Sequence, residues 1–313
     1  MGETRIAFLF PGQGSQTVGM GKELAEKYPI ARQTFEEADH VLGYRLSDIC
    51  WTGPEEKLRL TEITQPAILA TSVAAWRVLD EKGLSPHIVA GHSLGEYAAH
   101  CAAGTLDFGE ALRTVRNRGK YMQEAVPVGV GAMAAILGLD VATVEAGCAE
   151  AAQGQICSPA NINSPSQVVI AGNGEAVDRA CEILKNKGAK RAIRLNVSAP
   201  FHCALMRPAQ ERLSFELEQV AFNHASIPVV TNVDARITTE PAELRDALFR
   251  QVSAPVKWSE SVDLLLQQGV KSFVEVGPGK VLSGLMRQIN RDANCLNIED
   301  SASLEAARAK LNS

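Results

Sequence analysis

The chain has 313 residues, of which 46% are hydrophobic and 21% are charged, and its formal net charge is -5 at pH 7. This length and composition indicate a globular protein with one large core or two modest ones. The negative charge excludes an overall field that would draw the chain onto nucleic acid or an anionic membrane, so neither is expected as a partner.

The first predicted element is the apolar run RIAFLF at residues 5–10, a candidate buried strand that leads into the glycine-rich loop PGQGSQTVGMG. The run is too short for a signal peptide or a membrane-spanning helix. Seven cysteines without a CxxC pair favour reduced thiols over a disulfide framework. These features predict a soluble, cytoplasmic protein.

Strands and helices then alternate along the chain. TQPAILATSVAAWRVLDEKG predicts a helix, with Pro66 in its first turn and Gly83 at its left-handed carboxyl end. HIVAGHS predicts a strand and LGEYAAHCAAG the helix after it. This alternation is typical of a parallel sheet covered by helices on both faces.

The middle of the chain follows a different order. From GAMAAILGL to AKRAIRLNV the pattern reads strand, helix, short strand, strand, helix, strand, which predicts a ferredoxin-like α+β unit at residues 127–197. Two later segments, PVVTNVD and SFVEVGPGKVLSGL, predict strands that rejoin the first sheet. The unit is therefore expected to interrupt a larger domain made of residues 1–126 and 198–313.

The pentapeptide GHSLG places Ser93 between a predicted strand and a predicted helix. Glycines on both sides of a serine allow a sharp turn that exposes the hydroxyl at the carboxyl edge of the sheet. The amides at the start of the helix then lie beside the negative charge that develops during acyl transfer. A plain turn with a capping serine is the alternative, because short motifs recur by chance.

A serine hydroxyl needs a base, and the chain has six histidines. His202 lies on a loop after a predicted strand and just before a predicted helix, so it is favoured over His224, which resembles a turn residue. The others are set aside because they are expected at the surface or out of reach of Ser93, namely His40, His87, His92 and His100.

Eight stretches in the same order resemble the malonyl-CoA:acyl carrier protein transacylases of fatty acid synthesis and the related acyltransferase domains of polyketide synthases. They are FLFPGQGSQTVGMG, TQPAILA, GHSLGEYAA, RNRGKYMQEAVPVGVGAM, ANINSPSQVVIAG, SAPFHC, PVKW and EVGPGKVLSGL. The resemblance implies an α/β hydrolase-like domain with a parallel sheet, interrupted by a small ferredoxin-like domain. This agrees with the insertion predicted from the pattern.

The resemblance also implies roles for individual residues. Ser93 matches the nucleophile and His202 the base. Gln13 matches a substrate-binding glutamine whose backbone amide, with that of Leu94, forms the oxyanion hole. Gln251 matches the residue whose backbone carbonyl orients the histidine in place of an aspartate, so its side chain is not expected to be essential. Such a carbonyl holds the imidazole tautomer without adding a full charge.

Two further residues are implied to bind the acyl group. Arg118 matches the arginine that grips the free carboxylate of malonyl, and its planar guanidinium can hold a carboxylate with two parallel hydrogen bonds. Phe201 stands where many bacterial members carry serine. Its ring is expected to narrow the space beside the acyl Cα and to disfavour branched chains.

The activity implied by the resemblance is ping-pong transfer of malonyl from malonyl-CoA to the phosphopantetheine thiol of acyl carrier protein, through a malonyl ester of Ser93. No metal and no cofactor are expected, and a free-standing chain of this length is expected to act as a monomer.

Acyl carrier proteins are acidic, so docking requires local positive charge. The segment KNKGAKRAIR carries five cations and no acidic residue, and Lys190 and Arg191 within it are the candidate docking residues. An equally good interpretation is that lysines protect an edge strand from aggregation.

Two other functions remain open from the sequence. A lipase or esterase uses the same serine and histidine with water as the acceptor, although no clear acidic third member lies between Ser93 and His202. An acyl-thioester hydrolase that edits acyl-carriers with the same fold is the stronger form of this alternative. A catalytically inactive module that only docks a carrier is the second alternative. The intact set of Ser93, His202, Arg118 and Gln13 argues against it.

Overall fold

The computed structural model describes residues 5–127, 129–197 and 199–311. In these ranges the strands form two separate sheets, of six and four strands. The strands are β1 (Arg5–Phe10), β2 (Ile88–Gly91), β3 (Gly131–Leu137), β4 (Cys157–Ser164), β5 (Gln167–Asn173), β6 (Arg191–Arg194), β7 (Val229–Thr231), β8 (Arg236–Thr238), β9 (Val270–Val276) and β10 (Asn294–Ile298).

Helices connect the strands. They are α1 (Lys22–Lys27), α2 (Pro29–Leu42), α3 (Leu46–Thr52), α4 (Glu55–Leu58), α5 (Thr61–Glu81), α6 (Gly95–Ala102), α7 (Phe108–Glu124), α8 (Val141–Ala152), α9 (Gly174–Asn186), α10 (Arg207–Gln219), α11 (Pro241–Gln251), α12 (Trp258–Gln267), α13 (Val281–Ile289) and α14 (Ser301–Leu311). A 3₁₀ turn, Ala204–Met206, precedes α10. No helix in the described ranges is long and apolar enough to cross a membrane.

The six-stranded sheet has the order β10-β9-β1-β2-β7-β8. Its strands are parallel except β8, which pairs antiparallel with β7 at one edge. Side chains of β1 alternate between the two faces, so that Phe8 and Phe10 enter one core while Ala7 and Leu9 enter the other. Helices therefore cover both faces, and the predicted parallel sheet is confirmed.

Two features of this larger part differ from the sequence prediction. The short strands β8 and β10 were not predicted. Pro66 lies inside α5, which begins at Thr61, and not in its first turn. A proline inside a helix removes one backbone hydrogen bond. The helix is nevertheless buried along most of its length, and that packing outweighs the lost bond. Gly83 has the predicted left-handed conformation, with φ of 73°.

The four-stranded sheet has the order β4-β5-β3-β6 and is antiparallel throughout. One face carries Ala134, Ile136 and Val168, which pack against α8 and α9. On the opposite face, Met133 and Val169 join the core of the larger part. The predicted ferredoxin-like unit is thus present, and its strands and helices lie within residues 131–194.

Candidate active site

Ser93 occupies a sharp turn between β2 and α6. Its φ is 52°, a left-handed conformation that non-glycine residues rarely adopt. The flanking glycines are required by close approach of backbone segments. A Cβ at Gly91 would lie 2.0 Å from the carbonyl carbon of Gly95, and a Cβ at Gly95 would lie 2.0 Å from the oxygen of Phe10. The structure thus contains the strained elbow that the GxSxG spacing predicts.

Asn232, just after β7, supports this turn from the neighbouring strand. Its Oδ1 accepts a hydrogen bond from the amide of Ser93 at 2.6 Å, and its Nδ2 donates to the carbonyl of Gly91 at 2.6 Å. Asn232 was not predicted as a site residue. The available signal was a polar residue at the carboxyl end of a strand beside the strand of the nucleophile.

His202 is in contact with the serine. The distance from Ser93 Oγ to His202 Nε2 is 2.7 Å, and His202 Nδ1 lies 2.9 Å from the carbonyl oxygen of Gln251. A carbonyl can only accept, so Nδ1 carries the proton and Nε2 is free to take the proton of the serine. The backbone carbonyl occupies the position that an aspartate fills in a Ser-His-Asp triad.

Burial keeps this imidazole neutral. His202 is 3% exposed. Desolvation, with a smaller contribution from the positive charge of Arg118, lowers the pKa of His202 to about 3. The group is therefore available as a base at neutral pH.

Arg118 lies beside the serine and is 1% exposed. Its Nη2 donates to Ser93 Oγ at 3.2 Å and to Gln251 Oε1 at 2.8 Å, and its Nη1 donates to Gln65 Oε1 at 2.8 Å. Burial lowers the pKa of Arg118. In the described ranges no carboxylate forms a salt bridge with this guanidinium. Its hydrogen-bond partners are all neutral, and the Glu96 carboxyl interacts with its charge without contacting it directly. A buried cation without a direct carboxylate partner is suited to bind an anion from outside.

The loop that carries Gln13 packs against the serine turn. A Cβ at Gly12 would lie 2.3 Å from the carbonyl oxygen of His92, so the two segments are in close contact. Within residues 5–127, 129–197 and 199–311, no backbone carbonyl accepts a hydrogen bond from the backbone amide of Gln13 or of Leu94. Both amides are thus available to an oxyanion, and that role stays a prediction.

These residues open into one cavity of about 780 Å³ between the two sheets. Phe201, predicted to bound the acyl site, lies in its wall and is 8% exposed. The full lining consists of Gln13, Gly14, Gln16, Arg59, Gln65, His92, Ser93, Leu94, Arg118, Met122, Met133, Asn161, Leu195, Asn196, Val197, Phe201 and His202.

The other histidines lie elsewhere or face other partners. His92 Nε2 is 2.8 Å from Asn163 Oδ1 on β4, and buried His100 contacts Thr105 Oγ1 at 2.7 Å. His87 differs from its predicted exposure, since it is half-buried and its Nδ1 accepts a hydrogen bond from the amide of Ile6 at 3.1 Å.

The Gln251 side chain has contacts that were not predicted. Its backbone carbonyl contacts His202 as expected, and its side-chain amide is also buried and contacts Arg118, Ser93 and Glu96. That the side chain is not essential stays a prediction. Gln65 and Glu96 were not singled out from the sequence. Gln65 lies in TQPAILA and Glu96 in GHSLGEYAA, two of the stretches that resemble the family. Their place in these stretches was the only indication in the sequence that they belong to the site.

The candidate docking residues lie outside the cavity. Lys190 and Arg191 are exposed at the edge strand β6, and in the described part of the chain neither forms an ion pair. Other cations of the same segment are paired, Lys185 with Glu182 and Lys187 with Glu150. The chain continues from the end of β6 to Leu195, which lines the cavity.

The arrangement can perform acyl transfer to a serine. A base is hydrogen-bonded to the hydroxyl, and a buried cation 3.2 Å from that hydroxyl can bind an anionic end of the acyl group. Thioesters with a carboxylate at the far end of a short acyl chain match this set of groups.

Residues 7–306 match the acyl transferase domain family. Among curated relatives, the malonyl CoA-acyl carrier protein transacylase of Escherichia coli K12 is 52% identical over 305 residues, covering 97% of this chain and 99% of the relative. The enzyme of the same name from Bacillus subtilis 168 is 47% identical over 305 residues, covering 97% and 96%.

Solved structures resemble the whole chain. An acyl carrier protein S-malonyltransferase from Vibrio cholerae has a TM-score of 0.96 at 50% identity, covering 97% of this chain and 100% of that one. A malonyl-transacylase in complex with its type II PKS acyl-carrier protein has a TM-score of 0.96 at 51% identity, covering 98% and 100%.

Proposed function

The chain belongs to the acyl transferase family, and we propose that it transfers malonyl from malonyl-CoA to the phosphopantetheine thiol of an acyl carrier protein. The observation that carries this proposal is the buried guanidinium of Arg118, whose Nη2 lies 3.2 Å from Ser93 Oγ. A carboxylate at the end of a short acyl chain can bind there while its thioester reaches the serine.

The first half-reaction forms a malonyl ester. Ser93 Oγ attacks the thioester carbon as its proton passes to Nε2 of His202, 2.7 Å away. The oxyanion accepts hydrogen bonds from the amides of Gln13 and Leu94. The carbon–sulfur bond then breaks, and His202 returns the proton to the sulfur of coenzyme A.

The second half-reaction uses the same groups in reverse. The carrier thiol gives its proton to His202, and its sulfur attacks the ester carbon. The bond to Ser93 Oγ then breaks, and His202 reprotonates that oxygen. Donor and acceptor thiols both end a pantetheine chain, so one cavity serves both. The steps use only groups of the chain, and the proposal includes no metal or cofactor.

The product is an extender unit for fatty acid or polyketide synthesis. Relatives of both kinds support this, since one similar structure is a complex with a type II PKS acyl-carrier protein. The monomeric state and the cytoplasmic location stay proposals from the sequence. So does the division into residues 1–126 with 198–313 and an inserted domain at 127–197.

The proposal predicts a covalent adduct on Ser93. The protein is incubated with malonyl-CoA without carrier, and mass spectrometry of the intact chain and of its peptides locates the added group. One malonyl per chain on Ser93 is expected, and Ser93→Ala should remove it. As a matched control, Ser226→Ala alters a serine outside the cavity lining and should retain the adduct.

Addition of holo-carrier then distinguishes transfer from hydrolysis. Malonyl-carrier should account for most of the malonyl lost from the enzyme. Release mainly as free malonate would contradict transfer and favour a thioester hydrolase, whereas absence of any adduct would favour a carrier-docking module.

A further inference from the structure

Glu96, in the first turn of α6, is a fully buried carboxyl that the proposed steps do not use. Its Oε2 accepts hydrogen bonds from Gln251 Nε2 at 2.7 Å and from the amide of Asn232 at 3.1 Å. Its Oε1 is buried and has no hydrogen-bond partner in the part of the chain that the structure describes. Burial raises the pKa of Glu96 to about 7. Burying a carboxyl oxygen without a hydrogen-bond partner costs free energy of folding, so a carboxyl at this position is expected to have a function.

The hydrogen bonds of Gln251 suggest that reason. Its Oε1 accepts from Arg118 Nη2 at 2.8 Å, while its Nε2 donates to Glu96 Oε2 and, at 3.0 Å, to the carbonyl of Ser93. The two ends of a glutamine amide have similar shape but opposite hydrogen-bonding character. A reversed amide would direct its NH₂ group at the guanidinium and its oxygen at two other oxygens. The acceptor of Glu96 therefore favours the orientation that holds Arg118.

The position of Arg118 depends on few contacts. Its guanidinium has hydrogen bonds to Gln65, Gln251 and Ser93, and its Nε has no partner in the described ranges. Loss of the oriented Gln251 amide would leave Gln65 as the remaining amide partner. A bidentate carboxylate site tolerates little movement of the guanidinium, because both N–H groups must stay aligned.

We propose that Glu96 is a positioning residue that makes the enzyme selective for acyl groups ending in a carboxylate, by holding the Gln251 amide that orients Arg118. This inference rests on the proposed function. The groups that transfer any acyl chain, Ser93 and His202, need Glu96 less. His202 is held by the backbone carbonyl of Gln251, and the Ser93 turn is held by the side chain of Asn232, of which Glu96 contacts only the backbone amide.

The acceptor at Oε2, and not the charge, carries this role. In Glu96→Gln the new amide oxygen can take the place of Oε2, and its NH₂ group then takes the place of Oε1, which has no partner to lose. Glu96→Leu has similar volume and offers no acceptor. The two variants therefore separate loss of charge from loss of the hydrogen bond.

The test compares kcat/KM for malonyl-CoA and for acetyl-CoA with the same holo-carrier. Glu96→Leu should lower the malonyl value about tenfold or more, as expected for loss of a buried hydrogen-bonded partner, and the acetyl value by less than about threefold. The malonyl-to-acetyl ratio should therefore fall. Glu96→Gln should keep that ratio within about threefold of the wild-type value.

Glu275 provides a matched control. It is also a fully buried glutamate, but it accepts from the amides of Leu282 and Ser283 at 2.9 and 2.7 Å and does not line the cavity. Glu275→Leu should lower the melting temperature without changing the malonyl-to-acetyl ratio. If Glu96→Leu also lowers the melting temperature without changing the malonyl-to-acetyl ratio, so that kcat/KM falls equally for both substrates, the inference is overturned.

A second variant covers the case in which Glu96→Leu does not fold. Gln251→Met removes the amide and keeps the backbone carbonyl that holds His202, so it should reproduce the fall in the ratio. An unchanged ratio in Gln251→Met would also overturn the inference. A wild-type enzyme that uses acetyl-CoA as well as malonyl-CoA would instead contradict the proposed function.

Discussion

At the scale of single residues, burial has opposite consequences for the two basic groups beside Ser93. Desolvation lowers the pKa of His202 to about 3, so the imidazole is neutral and can accept a proton. Burial also lowers the pKa of the Arg118 guanidinium. The ordinary pKa of arginine is so high, however, that the guanidinium stays charged. One buried site thus holds a neutral base and a permanent cation.

The depressed pKa of His202 predicts an unusual pH profile. An ordinary histidine with a pKa near 6.5 would lose activity about tenfold per pH unit below that value. Because His202 protonates only near pH 3, kcat/KM for malonyl-CoA should stay within about threefold between pH 7.5 and 5.5. The measurement is the steady-state rate across this range, at pH values where the melting curve shows a folded protein.

The lowered pKa of His202 also sets how far the pH can be lowered before the folded protein loses stability. Unfolded His202 binds a proton below about pH 6.5, whereas the folded form does not until about pH 3. Its contribution to stability is therefore complete above pH 6.5 and is lost as pH falls toward 3. Glu96, with a pKa of about 7, also titrates in this range. A limb in kcat/KM with a midpoint near 6.5 that persists in Glu96→Gln, while the fold is intact, would therefore contradict the buried base. His40→Gln, which changes an exposed histidine, is the control and should leave the profile unaltered.

At the scale of secondary-structure elements, the contact between β1, β2 and α6 fixes the serine turn. Gly95 begins α6 directly against the end of β1, and its Cα approaches the backbone so closely that no side chain fits. The strained φ of Ser93 persists because three elements constrain it.

Gly95→Ala should therefore disrupt the elbow. The new Cβ would lie 2.0 Å from the carbonyl oxygen of Phe10, a backbone atom that cannot rotate away. The free energy of unfolding should fall by about 3 kcal/mol, and adduct formation on Ser93 should be lost. Urea denaturation and mass spectrometry after malonyl-CoA exposure measure the two effects.

Gly284→Ala is the control for this prediction. Gly284 lies on the exposed side of α13, where a Cβ would meet no atom within 4 Å. Alanine favours the helix by about 1 kcal/mol over glycine, so this variant should be as stable as the wild type or more so, with an unchanged adduct. Equal behaviour of the two variants would show that close approach at Gly95 has no special importance.

At the scale of the whole molecule, the two sheets contribute different walls of the cavity. The carboxyl end of the parallel sheet carries Ser93, and the antiparallel sheet forms the opposite wall of the cavity through Met133 and Leu195. Arg191 and Ile193 share one face of β6, and Leu195, directly after the strand, lines the cavity. We expect an acidic carrier that delivers its arm into the cavity to contact this edge.

Charge reversal at this edge tests the docking prediction. The double variant Lys190→Glu and Arg191→Glu should raise the KM for acyl carrier protein by about tenfold at low salt, because local attraction becomes repulsion in a protein whose net charge is already -5. The KM for malonyl-CoA should change less than about twofold, since neither residue lines the cavity. Both constants come from steady-state kinetics at varied ionic strength.

Lys271→Glu is the control, because Lys271 is exposed near the amino end of β9, the end of the sheet opposite Ser93. It should leave both constants unchanged. An equal rise in both constants for the double variant would refute docking at Lys190 and Arg191. A second double variant replaces Lys190 and Arg191 with neutral residues. If it aggregates while its kinetic constants are unchanged, the two cations protect the edge strand from aggregation and do not dock the carrier.

The sequence by itself determined the local elements and the family. The spacing of GHSLG predicted the turn at Ser93. Gly91 is required by a contact close in the chain, with Gly95, whereas the contact that requires Gly95 is a tertiary one with Phe10 at the end of β1. The strand and helix order of residues 127–197 predicted the small sheet, since each element has its own hydrophobic period. Pro66 was misplaced because tertiary burial of α5 overrides the local preference of proline.

Only the tertiary structure decided which side chains meet at the site. Gln251 reaches the carbonyl of Ser93 across 158 positions of sequence, and Asn232 reaches its amide across 139. Periodicity indicates which face of an element is buried, but it contains no information on the partner that the buried polar group will find. The contacts of Glu96 and Gln251 with the machinery around Arg118 therefore became visible only once the elements were packed together.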